Sequence, residues 1–273
     1  MLELLTDSEG FNAVVKGKHG YFVFNKNDIY VGEALRKYGE YSENEVDLFR
    51  QICQPGLYVA EVGANLGAHT VPLAQLVGPQ GRIFAFEPQR IVFQTLCANV
   101  AINSLENVEC YQVAVAAEKG HVLIPDIRYD QKGNFGGVSV RAFQQGRKVP
   151  TEKLDDLLSE VPQLHFCKID VEGMESEVLQ GGKNLIEKFK PILYLENDRP
   201  EKSKELIELL WSMEYKLFWH LPLLYNRNNY AGDEEDIYHN IVSMNLLCIH
   251  NSLKMNLQGF HEVADSDFHP MRR

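Results

Sequence analysis

The stretch Glu61-Val-Gly63-Ala-Asn65-Leu-Gly67-Ala-His69-Thr70 decides the fold. The apolar run Leu57–Val62 leading into it reads as a strand, and Ala68–Val77 leading out of it as a helix. Gly63 and Gly67 let the backbone turn sharply and let a ligand approach it closely. Strand, glycine turn and helix in that order suit a nucleotide-type ligand lying against the carboxyl end of a strand. The next apolar run, Ile83–Phe86, is closed by Glu87, 87 − 67 = 20 residues beyond Gly67. A carboxylate there can accept hydrogen bonds from both hydroxyls of a ribose.

The same rhythm continues outward. Helix Gln89–Asn103, strand Val108–Val113, strand Leu164–Ile169, helix Met174–Phe189, strand Ile192–Leu195 and helix Glu201–Glu214 follow in turn. Short apolar strands alternating with amphipathic helices predict an α/β, doubly wound, mostly parallel sheet covered on both faces. Two regions depart from this pattern. Residues 114–163 are too long for one crossover helix; Val122–Ile124 and Gly133-Asn-Phe-Gly-Gly137 predict extra short strands and a loop, with a small helix at Lys153–Leu158. Tyr215–Leu224 and Ile241–Ile249 predict a terminal pair that adds an antiparallel strand.

Near the start, Tyr21–Phe24 and Ile29–Val31 flank Asn25–Asp28 and read as a hairpin. Ser42 and Glu45 form a capping-box pattern that opens a helix through Ile52, ended by Pro55-Gly56. The chain therefore reads as effectively one domain: an N-terminal hairpin and helix arm over 1–54, a core over 55–250 and a loose tail over 251–273.

Composition narrows the function classes. The chain has 273 residues, 45% hydrophobic and 24% charged, with a formal charge of −11, which fits a globular protein and not a disordered one. The acidic excess argues against a nucleic-acid partner held by phosphate contacts. No apolar run is long enough for a membrane span, and Met1–Asp7 lacks the features of a signal peptide. Cys53, Cys97, Cys110, Cys167 and Cys248 are odd in number, widely spaced and set among apolar neighbours. They predict buried thiols in a reducing cytoplasm.

The glycine turn also bears on the ligand. A dinucleotide fingerprint needs a second glycine for contact with the pyrophosphate, and Asn65 stands there. S-adenosylmethionine carries ribose and adenine but no pyrophosphate and tolerates the change, so it is favoured over NAD. A second signal is Lys168-Ile-Asp170-Val-Glu172-Gly173-Met-Glu175, in which Asp170 ends an apolar strand beside the same crevice.

These blocks resemble the FkbM-type methyltransferases. Glu61–Gly67, Phe86-Glu-Pro88, Thr151–Leu158, Lys168–Gly173, Val178-Leu-Gln-Gly181 and Pro191–Glu196 stand in the family's order, and the resemblance spans about Glu40 to Ile249. It implies a class I, S-adenosylmethionine-dependent methyltransferase with a seven-stranded Rossmann-like sheet, acting on hydroxyls of sugars or polyketide-like metabolites. It implies that Gly63, Asn65 and Gly67 cradle the methionine part with Glu61 beneath, while Thr70 belongs to the same turn. It also implies that Glu87 and Pro88 flank the ribose, that Gln112, Val113 and Ala114 pass the adenine, and that Asp170 borders the cofactor. Glu61 is a departure, since the family more often carries Asp there.

For removal of a hydroxyl proton the candidates are Asp170, Glu172 and His220, with Glu196 and Asp198 nearby. Asn226, Asn228 and Asn229 offer amides to a sugar-like acceptor, or serve as turn residues. Asp170, Glu196 and Asp198 could hold Mg²⁺ through oxygen ligands, but their spacing carries no positive signature and no metal ligand is assigned. The expected acceptor is a small molecule or glycan. Two alternatives stay open: a non-catalytic S-adenosylmethionine-binding partner module, and an NAD-dependent oxidoreductase.

Overall fold

The computed structural model describes residues 2, 4–7, 9–138, 145–255 and 259–271. The chain opens with three antiparallel strands, β1 (Leu4–Asp7), β2 (Asn12–Gly17) and β3 (Gly20–Asn25). The hairpin thus sits one strand earlier than the sequence suggested, because Tyr21–Phe24 is its second strand. Ile29–Val31 is not a strand; Val31 begins helix α1 (Val31–Tyr38). The Asp28 side chain accepts the Tyr30 N–H at 2.9 Å, and its carbonyl accepts the Glu33 N–H at 2.9 Å. Asp28 therefore serves the start of α1 as a cap, which an apolar run alone does not reveal. Helix α2 (Glu43–Ile52) follows. Its Ser42 donates to Glu45 Oε1 at 2.9 Å instead of capping a backbone N–H, so the two capping-box residues pair with each other.

The core comprises β4 (Tyr58–Val62), α3 (Thr70–Val77), β5 (Arg82–Phe86), α4 (Arg90–Ile102), β6 (Val108–Tyr111), β7 (Ala114–Val115), β8 (Gly120–Ile124), β9 (Arg147–Glu152), α5 (Leu154–Leu157), β10 (Phe166–Ile169), α6 (Glu175–Gly181), α7 (Lys183–Phe189), β11 (Ile192–Glu196), α8 (Pro200–Ser212), β12 (Tyr215–His220), β13 (Asn245–His250) and β14 (His261–Glu262). The main sheet runs β14-β12-β13-β11-β10-β4-β5-β6. Strands β6, β5, β4, β10 and β11 are parallel, and β13 is antiparallel to both β11 and β12. The doubly wound, mostly parallel sheet is the expected one, with one more strand than the seven the resemblance implies. The addition, β14, comes from the segment read as a loose tail; it pairs with β12 through Phe218 and Trp219. The tail is also held by His269, which is buried, with Nε2 2.9 Å from the Asn197 carbonyl oxygen.

Two further differences have local causes. The expected helix Met174–Phe189 is broken at Gly182 into α6 and α7. A Cβ on Gly181 would collide with the Ala116 carbonyl oxygen, so the chain is drawn close to the β7 segment there. The long insertion forms a separate sheet, β7-β9-β8, whose middle strand Arg147–Glu152 is too polar to read from the sequence. Residues 139–144 of this insertion lie outside the described residues.

The strands bury both faces, which explains their continuous apolar character. Ala60 and Val62 face a core with Val178, Ile207 and Leu217, whereas Val59 faces one with Phe49, Leu73 and Phe166. Ala13, Val15, Phe22 and Phe24 of the arm pack on Leu66, Ala68 and Val71 of the glycine turn and α3. Asn99, fully buried on α4, pins this contact: its Nδ2 donates to the carbonyls of Val23 and Leu66 at 3.0 and 2.8 Å. The arm thus rests directly on the loop that decides the fold. All five cysteines are free thiols. No described helix is long and apolar enough to cross a membrane.

Candidate active site

In this doubly wound order the chain runs from β4 outward to β5 and β6, then returns to place β10 on the other side of β4. Such a reversal opens a crevice at the carboxyl ends of the strands. A cavity of about 340 Å³ lies there, with Glu61, Gly63, Asn65, Glu87, Lys168, Asp170, Glu172 and Glu196 among its walls. A smaller space of about 50 Å³ adjoins it, lined by Pro88, Gln89, Val113, Ala114, Val115, Val171 and Met174. Gly63, Glu87, Asp170, Glu172 and Gly136 border both.

The turn between β4 and α3 is built for close contact. Gly63 has φ +85, and a Cβ on it would collide with the Asp170 carbonyl oxygen. Only glycine fits this position. Asn65 also takes a positive φ, 50, and its side chain accepts the Leu66 N–H at 2.7 Å. Glu87 is almost fully buried, and each carboxylate oxygen accepts one backbone N–H: Oε1 from Gln89 at 2.8 Å and Oε2 from Asn65 at 3.0 Å. Burial pushes its pKa up to about 7 despite these two donors. Each oxygen keeps a lone pair for a ligand hydroxyl.

Glu61 and Thr70 form the floor. The Thr70 hydroxyl donates to Glu61 Oε2 at 2.6 Å. Burial pushes the Glu61 pKa up to about 7, against the opposing charge of Lys168. Lys168, 3% exposed, reaches Asp170 Oδ2 at 2.9 Å. Burial works to raise the Asp170 pKa, but the Lys168 charge and hydrogen bond outweigh it and hold the carboxyl below its usual value. Glu172 goes the other way: burial, then the charges of Asp170 and Asp198, push it up to about 7, even with Arg199 Nη2 2.8 Å from its Oε2.

The expected site residues divide into three groups. Glu61, Gly63, Asn65, Glu87, Pro88, Val113, Ala114, Asp170 and Glu172 line the two spaces. Gly67 and Thr70 support the turn from behind its walls: Gly67 N–H donates to the Ala64 carbonyl at 2.9 Å, and Thr70 holds Glu61. Gln112 lines neither space, since β6 ends at Tyr111 and only the following Val113 and Ala114 turn into the crevice. His220 also lies off the cavity wall. Its Nδ1 is 2.8 Å from the Tyr194 hydroxyl, its ring packs against Phe260, and burial lowers its pKa to about 4. His220 therefore stands apart from the carboxylates, beside Tyr194 and Phe260. The asparagines are turn residues. Asn226 Nδ2 donates to Glu40 and its Oδ1 accepts the Asn228 N–H, while Asn229 Nδ2 donates to the Asn226 and Asp233 carbonyls. Of the oxygen set weighed for Mg²⁺, Asp170 and Glu196 come together, joined by Glu172 in place of Asp198.

Several wall residues carry no sequence signal. Tyr30, Tyr41 and Glu45 come from the arm, and Leu224, Ile241, Val242, Ser243 and Met244 from the segment between β12 and β13. These two distant segments are tied to each other. Asn226 Nδ2 and the Tyr230 N–H donate to the two Glu40 oxygens at 2.8 and 3.0 Å, Asn44 Nδ2 to the Leu223 carbonyl at 2.7 Å, and the Tyr238 hydroxyl to the Tyr30 carbonyl at 3.0 Å. The glycine-rich loop closes a third side: Gln89 Nε2 donates to the Phe135 carbonyl at 2.8 Å, and a Cβ on Gly136 would lie 2.6 Å from Asn65 Nδ2. His69 lines the cavity beside the rings of Tyr41 and Phe49.

The chain is similar to known proteins. Residues 61–217 match the family model of the methyltransferase FkbM domain. The chain is 28% identical over 141 residues to the hexuronic acid methyltransferase AglP of Haloferax volcanii, covering 46% of this chain and 50% of that protein. It is 26% identical over 144 residues to Methyltransferase 1 of Beauveria bassiana, covering 45% of this chain and 57% of that protein. The chain therefore matches only about half the length of these curated relatives. Among solved structures it is similar to the methyltransferase FkbM of Methylobacillus flagellatus KT, with a TM-score of 0.46 and 16% identity over 75% of this chain and 50% of that one. It is also similar to the fibrillarin of Aeropyrum pernix with bound S-adenosyl-L-methionine, with a TM-score of 0.46 and 13% identity over 91% of this chain and all of that one. The family model covers more than half of the sequence, including the glycine turn and the Lys168–Gly173 block, so the chain belongs to the FkbM methyltransferase family.

Proposed function

We propose that the chain is an S-adenosylmethionine-dependent methyltransferase that O-methylates a hydroxyl of a sugar, a glycan or a secondary metabolite. The observation that carries the reading is Glu87, a buried carboxylate oriented by two backbone N–H groups at the junction of a small, largely apolar space and a larger polar one. In this reading Glu87 accepts the ribose hydroxyls, and Pro88, Val113, Ala114 and Met174 flank the adenine. The Gly63–Asn65 turn, with Glu61 beneath it, receives the methionine part. When bound, S-adenosylmethionine supplies a methyl group on a sulfonium, open to in-line attack by an oxygen.

The residues of the chain do the rest. The arm, the 222–244 segment and the glycine-rich loop wall the acceptor side and orient the hydroxyl, which contributes by making the encounter effectively unimolecular. The Asp170–Glu172 pair accepts the hydroxyl proton: Lys168 fixes Asp170 as a carboxylate, and Glu172 titrates near neutrality, as suits a base. A wall rich in carboxylates does not suit a nucleic acid held by its phosphates. A relative named for methylating a hexuronic acid supports a sugar acceptor. Five free thiols fit a cytoplasmic setting.

The test is labelled methyl transfer from S-adenosylmethionine by the purified chain into an extract of cells lacking it. Label should enter a molecule through an ether linkage to oxygen. Transfer to nitrogen would overturn the O-methylation reading, and no transfer despite cofactor binding would favour the non-catalytic module.

A further inference from the structure

We propose that His69 holds the carboxylate of the cofactor's amino-acid part, through Nε2 and together with the backbone N–H groups that open α3. The proposal rests on the cofactor reading above and adds a side chain that the glycine turn does not itself supply.

His69 carries an orphaned atom. It is 5% exposed and lies on the wall of the large cavity, and its Nε2 has no hydrogen-bond partner among the described residues. Buried polar groups are rarely left so, because burial without a partner forfeits the bond that water would make. The ring is also confined. The Tyr41 and Phe49 ring centroids lie 5.6 and 5.5 Å from its own, with Phe49 edge-on. Nor does the imidazole serve its helix: His69 stands at the N-cap position of α3, but its side chain makes no capping hydrogen bond. A confined polar group that serves neither neighbour nor helix points to a ligand.

Position and charge identify the ligand group. His69 stands two residues beyond Gly67, where the turn passes into α3. It borders the large cavity and not the smaller space read as the adenine side. The first N–H groups of a helix have no carbonyl within it to bond, and their partial positive charge favours an anion. Burial, then the charge of Lys168, lowers the His69 pKa to about 3. The imidazole is therefore neutral at pH 7 and has one N–H to donate. A neutral donor, a helix start and the Lys168 charge together suit a carboxylate, and the amino-acid part of S-adenosylmethionine carries one. Glu45, Glu61 and Asp170, on other parts of the same wall, suit the ammonium and sulfonium of the same molecule.

Calorimetric titration of the full chain with two probes, S-adenosylhomocysteine and 5′-methylthioadenosine, tests the assignment. The second probe keeps adenine, ribose and sulfur but lacks the amino-acid part. His69→Phe keeps a ring beside Tyr41 and Phe49 and removes Nε2. It should weaken S-adenosylhomocysteine roughly 10- to 100-fold, the weight of a hydrogen bond to a charged group, and leave 5′-methylthioadenosine within about twofold. His69→Gln, which returns an N–H donor, should recover part of the loss. If His69→Phe does not fold, His69→Ala, which needs less space, decides by the same ratio. Undiminished binding of S-adenosylhomocysteine, or equal weakening of both probes, would overturn the proposal and leave the cofactor reading intact. A wild-type chain that binds neither probe would overturn the cofactor reading and this inference with it.

Discussion

The Asn65 N–H donates to Glu87 Oε2 at 3.0 Å, joining the glycine turn after β4 to the carboxylate that closes β5. The turn and the acid are thus one unit. The backbone turn that leaves open space beside Gly63 also aims this carboxylate.

Glu87→Ala should remove the acceptor of two ribose hydroxyls. Loss of a hydrogen bond to a charged group costs about 2–3 kcal/mol, roughly 30- to 150-fold in Kd. Isothermal titration with S-adenosylhomocysteine reads it directly. Glu87→Gln keeps one acceptor oxygen and should fall between the wild type and Glu87→Ala.

Gly63→Ala should damage both fold and site. The new methyl meets the Asp170 carbonyl oxygen, and the position requires a positive φ. The expected loss is about 2–4 kcal/mol of stability. Chemical denaturation should show it as a lower midpoint with an unchanged slope. Equal stability of the two proteins would mean that the turn is not as tight as described.

Lys168→Met should leave Asp170 and Glu61 facing each other without their cation. Breaking a buried pair costs about 3–5 kcal/mol, reduced here because 39% of the Asp170 side chain is exposed, so about 2–3 kcal/mol is expected. The loss should be greater at pH 8 than at pH 5, since protonation relieves the unpaired carboxylates.

The glycine turn, the Glu87 position and the Lys168–Gly173 block were legible because each is local: a run of neighbouring residues fixes strand, turn and acid together. Tyr41, Glu45 and Ser243 were not legible, since they reach the cavity only after segments some two hundred positions apart are tied through Glu40 and Asn44. The surroundings of His220 were hidden for a related reason. Its residue type suits a base, but only three-dimensional packing puts Tyr194 against its Nδ1. The first hairpin failed on a single side chain, Asp28, which turns an apolar run into a helix start.

Acidity should separate stability from binding. Burial raises the Glu61 and Glu87 pKa values to about 7 in the folded chain, above those of unfolded glutamate. The folded state then holds more protons between about pH 4.5 and 7, so these groups stabilise the ligand-free protein below that window. Their contribution is lost as the pH rises through it. Hydroxyl ligands want the ionised Glu87, so cofactor affinity should move the opposite way. The thermal shift produced by S-adenosylhomocysteine should grow from pH 5.5 to pH 8, and in Glu87→Gln it should lose most of this growth.

His220→Phe should leave the pH dependence of methyl transfer unchanged, whereas Asp170→Asn should lower turnover by about 10²- to 10⁴-fold, the usual contribution of a positioned base, with cofactor binding retained. Pre-steady-state transfer of label into the acceptor, once it is identified, measures both. A change in pH profile with His220→Phe alone would return that residue to the mechanism.

The most direct measurement is calorimetric titration of the purified chain with S-adenosylhomocysteine at pH 8, run beside NAD. A single site per chain in the micromolar range, about −7 to −8 kcal/mol, weakened by Glu87→Ala and absent for NAD, is the expected result. No binding at millimolar ligand, or binding of NAD in its place, would contradict the assignment of this crevice to the methyl donor.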